Sequence, residues 1–351
     1  MSELPDVKAD EEAEDVEDED EAEEEPEPEK PPVAVVPAPT AEPRPPRRLN
    51  IIGRRNWFFA LSLIIIVPGI ISMATKHFAL GIDFAGGTEF TISVPSQVSL
   101  TQVQTAVDEQ NVNGSVISTG RNPDGTNGYI IRYPPLTQSQ VNGVQADLNN
   151  KLGQVTVQQI LVVGGTIAGE TISLSLLAVV LAAVAILLLL AIRFRNVPGG
   201  WRAGFQFGGS ALAALLHDVF ILTGIFSILG AVLKLRIGEI DAFFVTAVLT
   251  VVGFSVHDTI VVFDRIRENL RVSQRLSFEQ VVNLSIMQTA ARSIITSFTV
   301  VLVLAAILIA GGSTIQGLAL ALLIGIVSGT YSSIFNAAPL LVVWRKLQPL
   351  R

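Results

Sequence analysis

Long apolar segments alternate with short polar ones over most of the chain, and they predict a bundle of membrane-spanning helices. A helix needs about 20 mostly apolar residues to cross the hydrocarbon core of a bilayer. Six segments approach or exceed that length: 57 to about 74, Thr171–Ile192, Phe205–Leu233, Ile240–Phe263, Ser293–Ala310 and Ile315–Trp344. The pattern therefore predicts a polytopic α-helical membrane protein with six transmembrane helices.

The region from Lys76 to about Gly169 has a different pattern. Short apolar stretches with strand or helix spacing are separated by turn residues, which favours a folded domain between helices 1 and 2. The predicted order is strand Thr88–Val94, helix Ser99–Asn111, strands Ser115–Thr119 and Tyr129–Tyr133, helix Thr137–Leu152 and strand Val155–Val163. This β-α-β-β-α-β order is the ferredoxin-like plan. The region has no cluster of catalytic residue types, so we interpret it as a binding or lever domain.

The first 50 residues predict a tail without a core. Residues 1–30 hold 17 acidic residues against two lysines, and prolines crowd residues 26–46. Such a composition cannot bury enough apolar surface to offset chain entropy, so we expect a disordered acidic stretch and then an extended linker. It also lacks the order of a cleavable signal peptide. The whole chain has a net charge of −8, so the part after the tail is net positive.

Basic residues follow the predicted loops on one side of the membrane and predict the orientation. By the positive-inside rule both termini are cytoplasmic and the inserted domain is extracytoplasmic. The basic positions are Arg44, Arg47, Arg48, Arg54, Arg55, then Arg193, Arg195, Arg202, then Arg265, Arg267, Arg271, Arg275, and finally Arg345, Lys346 and Arg351. The predicted plan is a tail (1–50), helix 1 (51–75), the domain (76–169), helices 2–6 (170–345) with a cytoplasmic loop at about 264–291, and a cytoplasmic C-terminus (346–351).

The composition excludes several kinds of chemistry. The chain has no cysteine, which removes disulfides and thiolate metal or redox sites. It also lacks a phosphate-binding Gly-Lys-Ser/Thr loop and a G-x-S-x-G elbow, which argues against a hydrolase. No third ligand accompanies the histidines at metal-ligand spacing, so we expect no metal site.

Two His-Asp pairs stand inside apolar segments, at His217-Asp218 and His257-Asp258. An aspartate at mid-membrane depth costs roughly 2.5–3.5 kcal/mol on insertion scales, so such residues are usually functional and have a partner in the bundle. The alternative is a polar residue tolerated in a packed helix interface. Each histidine is either a hydrogen-bonded structural residue or a proton shuttle.

Arg292 stands near the start of the fifth segment and suggests a partner for Asp258. Asp258 lies about six residues from the inner end of its helix, roughly 9 Å, which a long arginine side chain reaches. Protonation of Asp258 would dissolve such a pair. The alternative is that Arg292 is a snorkelling interface anchor. Asp264 and Arg265 at the helix exit do not face each other and are expected to anchor an interfacial helix.

Small residues mark two faces that allow close helix packing. They are Gly208-Gly209 and the pair Gly325 and Gly329. The sequence leaves open whether these faces pack within the chain or against a second subunit.

Two motifs resemble those of a known family. The run Gly81, Ile82, Asp83, Phe84, Ala85, Gly86, Gly87, Thr88 resembles the GxDFxGGT signature of the SecD/SecF family. Residues 253–269, GFSVHDTIVVFDRIREN, resemble the fourth-helix motif of its SecF members. The Ala291-Arg292-Ser293 run and the His217-Asp218 pair also match SecF. The resemblance covers about residues 50–345.

The resemblance implies a function and a set of roles. Members of the family have an RND-like helix arrangement and use the proton-motive force to assist late protein export across the cytoplasmic membrane. Carried over, Asp258 binds the proton, Arg292 is its basic partner, Asp218 is an auxiliary charge, and Gly86-Gly87 couples the domain to the bundle. The implied partners are a SecD subunit, the SecYEG channel with YajC and SecA, lipid and the exported unfolded polypeptide, with no nucleic acid. No cofactor other than protons and no enzyme activity are implied.

Two other functions stay open at this point. One is an RND-type proton-coupled exporter of small molecules or lipids. The other is an assembly scaffold whose buried charges pair with a partner subunit. A measurement of proton flux with and without the aspartates separates the scaffold from a transporter.

Overall fold

The computed structural model describes residues 49–95, 97–110, 112, 115–121, 127–195, 200–272 and 275–349. The acidic and proline-rich tail predicted for residues 1–50 lies outside these residues except for its last two. Within the described residues, six helices are long and apolar enough to cross a membrane, as predicted.

The first membrane helix is α1 (Arg55–Lys76), which follows a short 3-10 turn at Ile52–Arg54. Most of its residues are exposed, and the exposed ones include large apolar side chains such as Trp57, Leu63 and Ile64, as expected of a lipid-facing helix at the edge of a bundle. Its buried positions are the small residues Ser62, Gly69 and Ser72. These let α1 lie close against the rest of the bundle.

The inserted domain has the predicted ferredoxin-like order. Its elements are a short helix α2 (Ile82–Ala85), β1 (Gly87–Val94), α3 (Leu100–Asp108), β2 (Val116–Arg121), β3 (Asn127–Tyr133), α4 (Gln138–Leu152) and β4 (Thr156–Val163). The four strands form an antiparallel sheet in the order β2-β3-β1-β4. Capping boxes start both long helices, from Ser99 with Gln102 and from Thr137 with Gln140.

The alternation of side chains along the central strands gives the sheet two different faces. Phe90, Ile92 and Ile131 are fully buried in the core that the sheet forms with α3 and α4. Glu89, which directly precedes Phe90, points to the opposite face, and this face lies toward the membrane bundle, where Glu89 contacts Arg236. We call the end of the membrane bundle that lies next to the inserted domain the domain end, and the opposite end of the bundle the far end.

The remaining membrane helices follow the domain. They are α5 (Gly165–Arg193), α6 (Gly200–Ser227) with a π-helical turn at Ile228–Val232, α7 (Ala242–Val272), α8 (Phe278–Ala310), and α9 (Ser313–Ser332) joined through a π-helical turn at Ser333–Ala337 to α10 (Ala338–Leu347). About half of the central part of α6, of α7 and of the α9–α10 span is buried, whereas α1, α5 and α8 are peripheral.

The structure corrects the loop predicted for about residues 264–291. Helix α7 continues to Val272 and α8 already begins at Phe278. These helical extensions are amphipathic: Ile266 and Ile286 are fully buried between charged and polar neighbours. A search for continuous apolar runs therefore ends each helix too early, although Ser277 and Gln280 form a capping box at the true start of α8.

The small-residue faces pack within the chain. Gly325 of α9 lies against Val251 of α7, and one turn later Gly329 lies against Ser255. Gly208 and Gly209 of α6 face α5 and the ring of Trp344. The question left open by the sequence is thus resolved, because both faces are occupied by the chain's own helices.

Candidate functional site

Asp258 is buried on α7, with 5% of its surface exposed. Its Oδ1 accepts a hydrogen bond from the hydroxyl of Ser293 on α8, at 3.1 Å. Its Oδ2 has no hydrogen-bond partner among the residues that the structure describes. A buried carboxylate oxygen without a donor is costly when ionised. A proton at Oδ2 of Asp258 would remove this cost.

The predicted ion pair between Asp258 and Arg292 is absent from this structure. The Arg292 side chain is exposed and forms no ion pair or hydrogen bond within the described ranges. Helix α8 buries one face through Thr289, Ser293 and Ser297. Arg292 precedes Ser293 by one residue, about 100° around the helix, so the serine reaches the aspartate and the arginine points away from it.

Asp218 on α6 has the opposite environment. It is fully buried and accepts four hydrogen bonds from three helices. Oδ2 receives the hydroxyls of Ser255 (2.6 Å) and Ser332 (2.6 Å). Oδ1 receives Ser328 Oγ (2.7 Å) and His217 Nδ1 (3.0 Å). These donors occupy the carboxylate's main acceptor positions, so this aspartate joins α6, α7 and α9.

His217 continues this network toward α1. Its Nε2 lies 2.9 Å from Nδ2 of Asn336, which also donates to Ser62 Oγ at 3.0 Å. With the amide nitrogen of Asn336 donating to Nε2, the proton of a neutral His217 sits on Nδ1, facing Asp218. These contacts favour the structural role over the shuttle role for His217.

His257 does not follow the same arrangement, although its sequence context is similar. Its side chain is exposed on α7 and makes no hydrogen bond or ion pair in the part of the chain that the structure describes. It points away from the buried side of α7 that holds Asp258. Its predicted auxiliary role stays a prediction.

The π-helical turn at Ser333–Ala337 supplies contacts that the sequence did not single out. Ser333 shares a 3.0 Å hydrogen bond with Thr259 of α7, one residue after Asp258. Asn336 of the same turn contacts His217. Pro339 follows closely and has no N–H for regular helical bonding. Such π turns are frequent at functional positions. Ser328 and Ser332, the α9 donors to Asp218, were also not singled out from the sequence. Their i, i+4 spacing in an apolar helix places both hydroxyls on one face and could have indicated them.

The helix-exit residues tie α7 to its neighbours at the far end. Asp264 forms a 2.6 Å ion pair with Arg193 of α5. Arg265 binds Glu268 on its own helix and Gln288 on α8, each at 2.6 Å. The two consecutive residues contact different helices and join α7 to α5 and α8. Their predicted role as anchors of an interfacial helix stays a prediction.

The signature segment joins the domain to the beginning of α7. Leu80 forms a parallel bridge with Ile240, and Gly81 N–H donates to the carbonyl of Ile240 at 2.8 Å. Asp83 Oδ2 then accepts the N–H of Ala242, the first residue of α7, at 3.0 Å. The signature aspartate is thus bonded to the helix that carries Asp258.

The rest of the signature shapes the entry into the sheet. Phe84 is buried, and Thr88 Oγ1 accepts the N–H of Leu136 at 3.1 Å. Gly86 and Gly87 have φ angles of 71° and 124°, which side chains other than glycine rarely adopt. A Cβ on Gly87 would also collide with the carbonyl of Tyr133. This tight turn fixes β1 directly after the contact with α7.

Asp241, immediately before α7, completes this junction. Its Oδ1 accepts the N–H of Phe244 at 2.8 Å, as an N-terminal cap. Burial raises the pKa of the Asp241 carboxyl above its ordinary 3.8; the hydrogen bond from Phe244 opposes this shift, while the nearby Asp83 and Glu239 charges add to it.

Together these features define a multi-pass membrane protein. It has buried carboxylates in a six-helix bundle, and a ferredoxin-like domain is attached to the beginning of α7. Comparison with known proteins agrees. A model described as protein export membrane protein SecD/SecF, C-terminal, matches residues 144–347, and the SecD/SecF GG motif matches residues 71–94. The chain belongs to the SecD/SecF family, as its motifs predicted.

The named relatives are SecF subunits. Protein translocase subunit SecF of Thermobaculum terrenum is 42% identical over 86% of this chain and 96% of the relative. The SecF subunit of Anaerolinea thermophila is 38% identical over 84% of this chain and 94% of the relative. These relatives are named as transport components and not as enzymes.

Solved structures of SecDF share the fold. SecDF of Thermus thermophilus, described as a translocon-associated membrane protein, matches with a TM-score of 0.74 and 32% identity over 85% of this chain. SecDF in a super-membrane-facing form matches with a TM-score of 0.59 and 31% identity over 86% of this chain. The chain spans 39% of each of these longer polypeptides.

Proposed function

We propose that this chain is a SecF-type subunit of the protein-export machinery and uses the proton-motive force to assist late translocation. The observation that carries the proposal is Asp258, a buried carboxylate whose Oδ2 has no donor among the described residues, in a chain with SecF relatives. Protons supply the energy, with no metal or organic cofactor. The small-molecule exporter and the scaffold find no support in the names of the relatives.

Protonation of Asp258 removes a buried negative charge from the bundle. A charge on this residue has one hydroxyl, that of Ser293, to stabilise it, whereas the neutral acid does not carry the cost of a buried charge. Arg292 lies about 100° from Ser293 on α8. A rotation of α8 by this angle would exchange the serine for the arginine, so that the predicted Asp258–Arg292 pair forms in a second state.

The available energy suffices for such a switch. One charge that crosses 100 mV gains about 2.3 kcal/mol, enough to bias two states that differ by a few kcal/mol. Asp258 lies on α7, whose first residue is bonded to Asp83 of the signature. A shift of α7 would therefore move the inserted domain, which holds or releases the emerging polypeptide.

The distribution of arginines supports the proposed orientation. Arg55, Arg193, Arg202 and Arg275 lie at the far end of the bundle. By the positive-inside rule, this distribution supports our proposal that the far end and both termini face the cytoplasm and that the protein resides in the inner membrane. The domain is then extracytoplasmic.

The comparisons support one of the proposed partners, a SecD subunit. The SecDF polypeptides are more than twice as long as the matched region, so a SecD subunit is the proposed partner for the remainder. The proposed assembly also includes the SecYEG channel, with YajC and SecA, and the unfolded polypeptide that passes through it.

The test is Asp258→Asn in membrane vesicles that contain the complete translocase. We expect the part of export that depends on the proton gradient to disappear, while export without a gradient is unchanged. Asp147→Asn, on an exposed position of α4, is the matched control. Normal gradient dependence in the Asp258 variant would disprove the proposed role.

A further inference from the structure

Four charged residues connect the inserted domain to the segment that precedes α7. Arg132 of β3 holds the carboxylate of Glu239 with both terminal nitrogens, at 3.1 and 2.6 Å. Arg132 Nε also donates to Glu89 of β1 at 2.8 Å. Arg236 donates to the other oxygen of Glu89 at 3.3 Å. We call Glu89, Arg132, Arg236 and Glu239 the charge quartet.

The quartet is not an ordinary set of surface ion pairs. Its side chains are only 10% (Glu89), 19% (Arg132), 27% (Arg236) and 17% (Glu239) exposed. Two positive and two negative charges balance each other, and the Arg132–Glu239 pair has the two-pronged geometry of strong arginine–carboxylate contacts. Removal of one member would leave a partly buried charge without its partner.

The same short segment is also held by the signature. Ile240 exchanges backbone hydrogen bonds with Ala79 and Gly81, each at 2.8 Å. Asp83 binds the N–H of Ala242. Residues 236–242 are thus attached at two places, to the strand entry by the signature and to the helix-free face of the sheet by the quartet.

Two attachments restrain the orientation of the domain relative to α7 more than one attachment does. With the signature contact alone, residues 236–242 would be held to the domain at the strand entry and not at the face of the sheet. The second contact fixes the angle between the sheet and the first turn of α7. We infer that the charge quartet is the coupling contact that makes the inserted domain move with α7 as one lever, a role that rests on the proposed function.

The first test is structural and does not depend on export. The chain has no cysteine, so spin labels at Asn149→Cys on α4 and Leu235→Cys in the α6–α7 connection, both exposed, report one distance by pulsed electron paramagnetic resonance. We expect Arg132→Glu and Glu239→Arg each to broaden the distance distribution at least twofold. The double variant restores an opposite-charge pair between positions 132 and 239 but sets a glutamate at 132 beside Glu89, so it should narrow the distance distribution in part.

The second test uses the same variants in vesicles with the complete translocase. We expect each single reversal to lower gradient-dependent export at least fivefold, and the double variant to recover part of it. Lys151→Glu breaks the Lys151–Glu109 pair elsewhere in the domain and is the matched control, expected to behave like the wild type.

The outcomes separate this inference from the proposed function. If the single reversals leave both the distance distribution and export normal, the quartet is not a coupling contact. If the distances respond as expected while Asp258→Asn exports normally, the mechanical contact stands and the proton role is wrong. A variant that fails to accumulate is replaced by Arg132→Gln, whose distances alone then decide.

Discussion

The hydroxyl of Ser293 on α8 lies 3.1 Å from Oδ1 of Asp258 on α7, and it is the one hydrogen-bond donor that Asp258 has among the described residues. The contact joins a central helix to a peripheral one. It also marks the position that Arg292 would take after a rotation of α8. A single serine thus defines which face of α8 meets the proposed proton carrier.

Ser293→Ala removes this donor and leaves both oxygens of Asp258 without a partner in the described structure. We expect gradient-dependent export to fall several-fold because Asp258 is no longer held in place. Ser293→Thr keeps the hydroxyl and should retain most activity. Export in vesicles at fixed gradient measures both, and equal defects in the two variants would contradict a role for the hydroxyl.

Asp218→Asn should destabilise the bundle, since the amide nitrogen that replaces one carboxylate oxygen cannot accept the two hydrogen bonds that this oxygen receives. One or more buried donors from Ser255, Ser328, Ser332 or His217 would then lack an acceptor, at a cost of about 3 kcal/mol. Thermal unfolding in detergent measures the loss. Asp258→Asn is the contrasting variant, expected to unfold within a few degrees of the wild type; equal losses would mean that the two aspartates share one role.

Gly325→Ala places a methyl group against the side chain of Val251. We expect lower thermal stability because α9 must move away from α7. Gly253→Ala on α7 has open space around the new methyl group and should be neutral or slightly stabilising, as expected for alanine in a helix. The difference between the two melting temperatures checks the tight α7–α9 contact.

Asp241 should make the stability of the folded protein depend on pH, and the direction of the pKa shift determines the sign of this dependence. Burial raises the pKa of its carboxyl above 3.8, so the folded state binds the proton more tightly than the unfolded state. Stability therefore falls as pH rises from 3.8 through the raised pKa. Asp241→Asn keeps a capping acceptor for Phe244 and should be more stable than the wild type at neutral pH. Unfolding midpoints across this range test it; an unchanged pH profile would falsify this assignment.

The helices and the domain plan could be predicted because their signals are local. Apolar length determines which segments cross a membrane, and alternation with turn residues predicts the strands of the domain. The end of α7 and the start of α8 were not predicted correctly, because the amphipathic extensions of these helices resemble a polar loop in sequence.

The site could be predicted only in part. Asp218 and Asp258 stand out because charge is rare in apolar segments. Their partners depend on helix rotation and on contacts between distant segments. Choosing Ser293 over Arg292 requires knowing the rotation of α8 to within one residue. The three serine donors to Asp218 come from positions 37 to 114 residues away. The charge quartet also joins residues far apart in sequence.

The side-chain amide of Asn336 affects how easily protons can leak across the bundle. It lies between His217 and Ser62, in a row of hydrogen bonds that begins at Asp218 and continues from Ser62 to Tyr331. A hydroxyl or an imidazole passes a proton on by exchanging donor and acceptor, but an amide does so poorly. Asn336 thus insulates the carboxylate of Asp218 from α1. Asn336→Asp would remove this insulation, and liposomes containing it should lose an imposed proton gradient faster than those with the wild type.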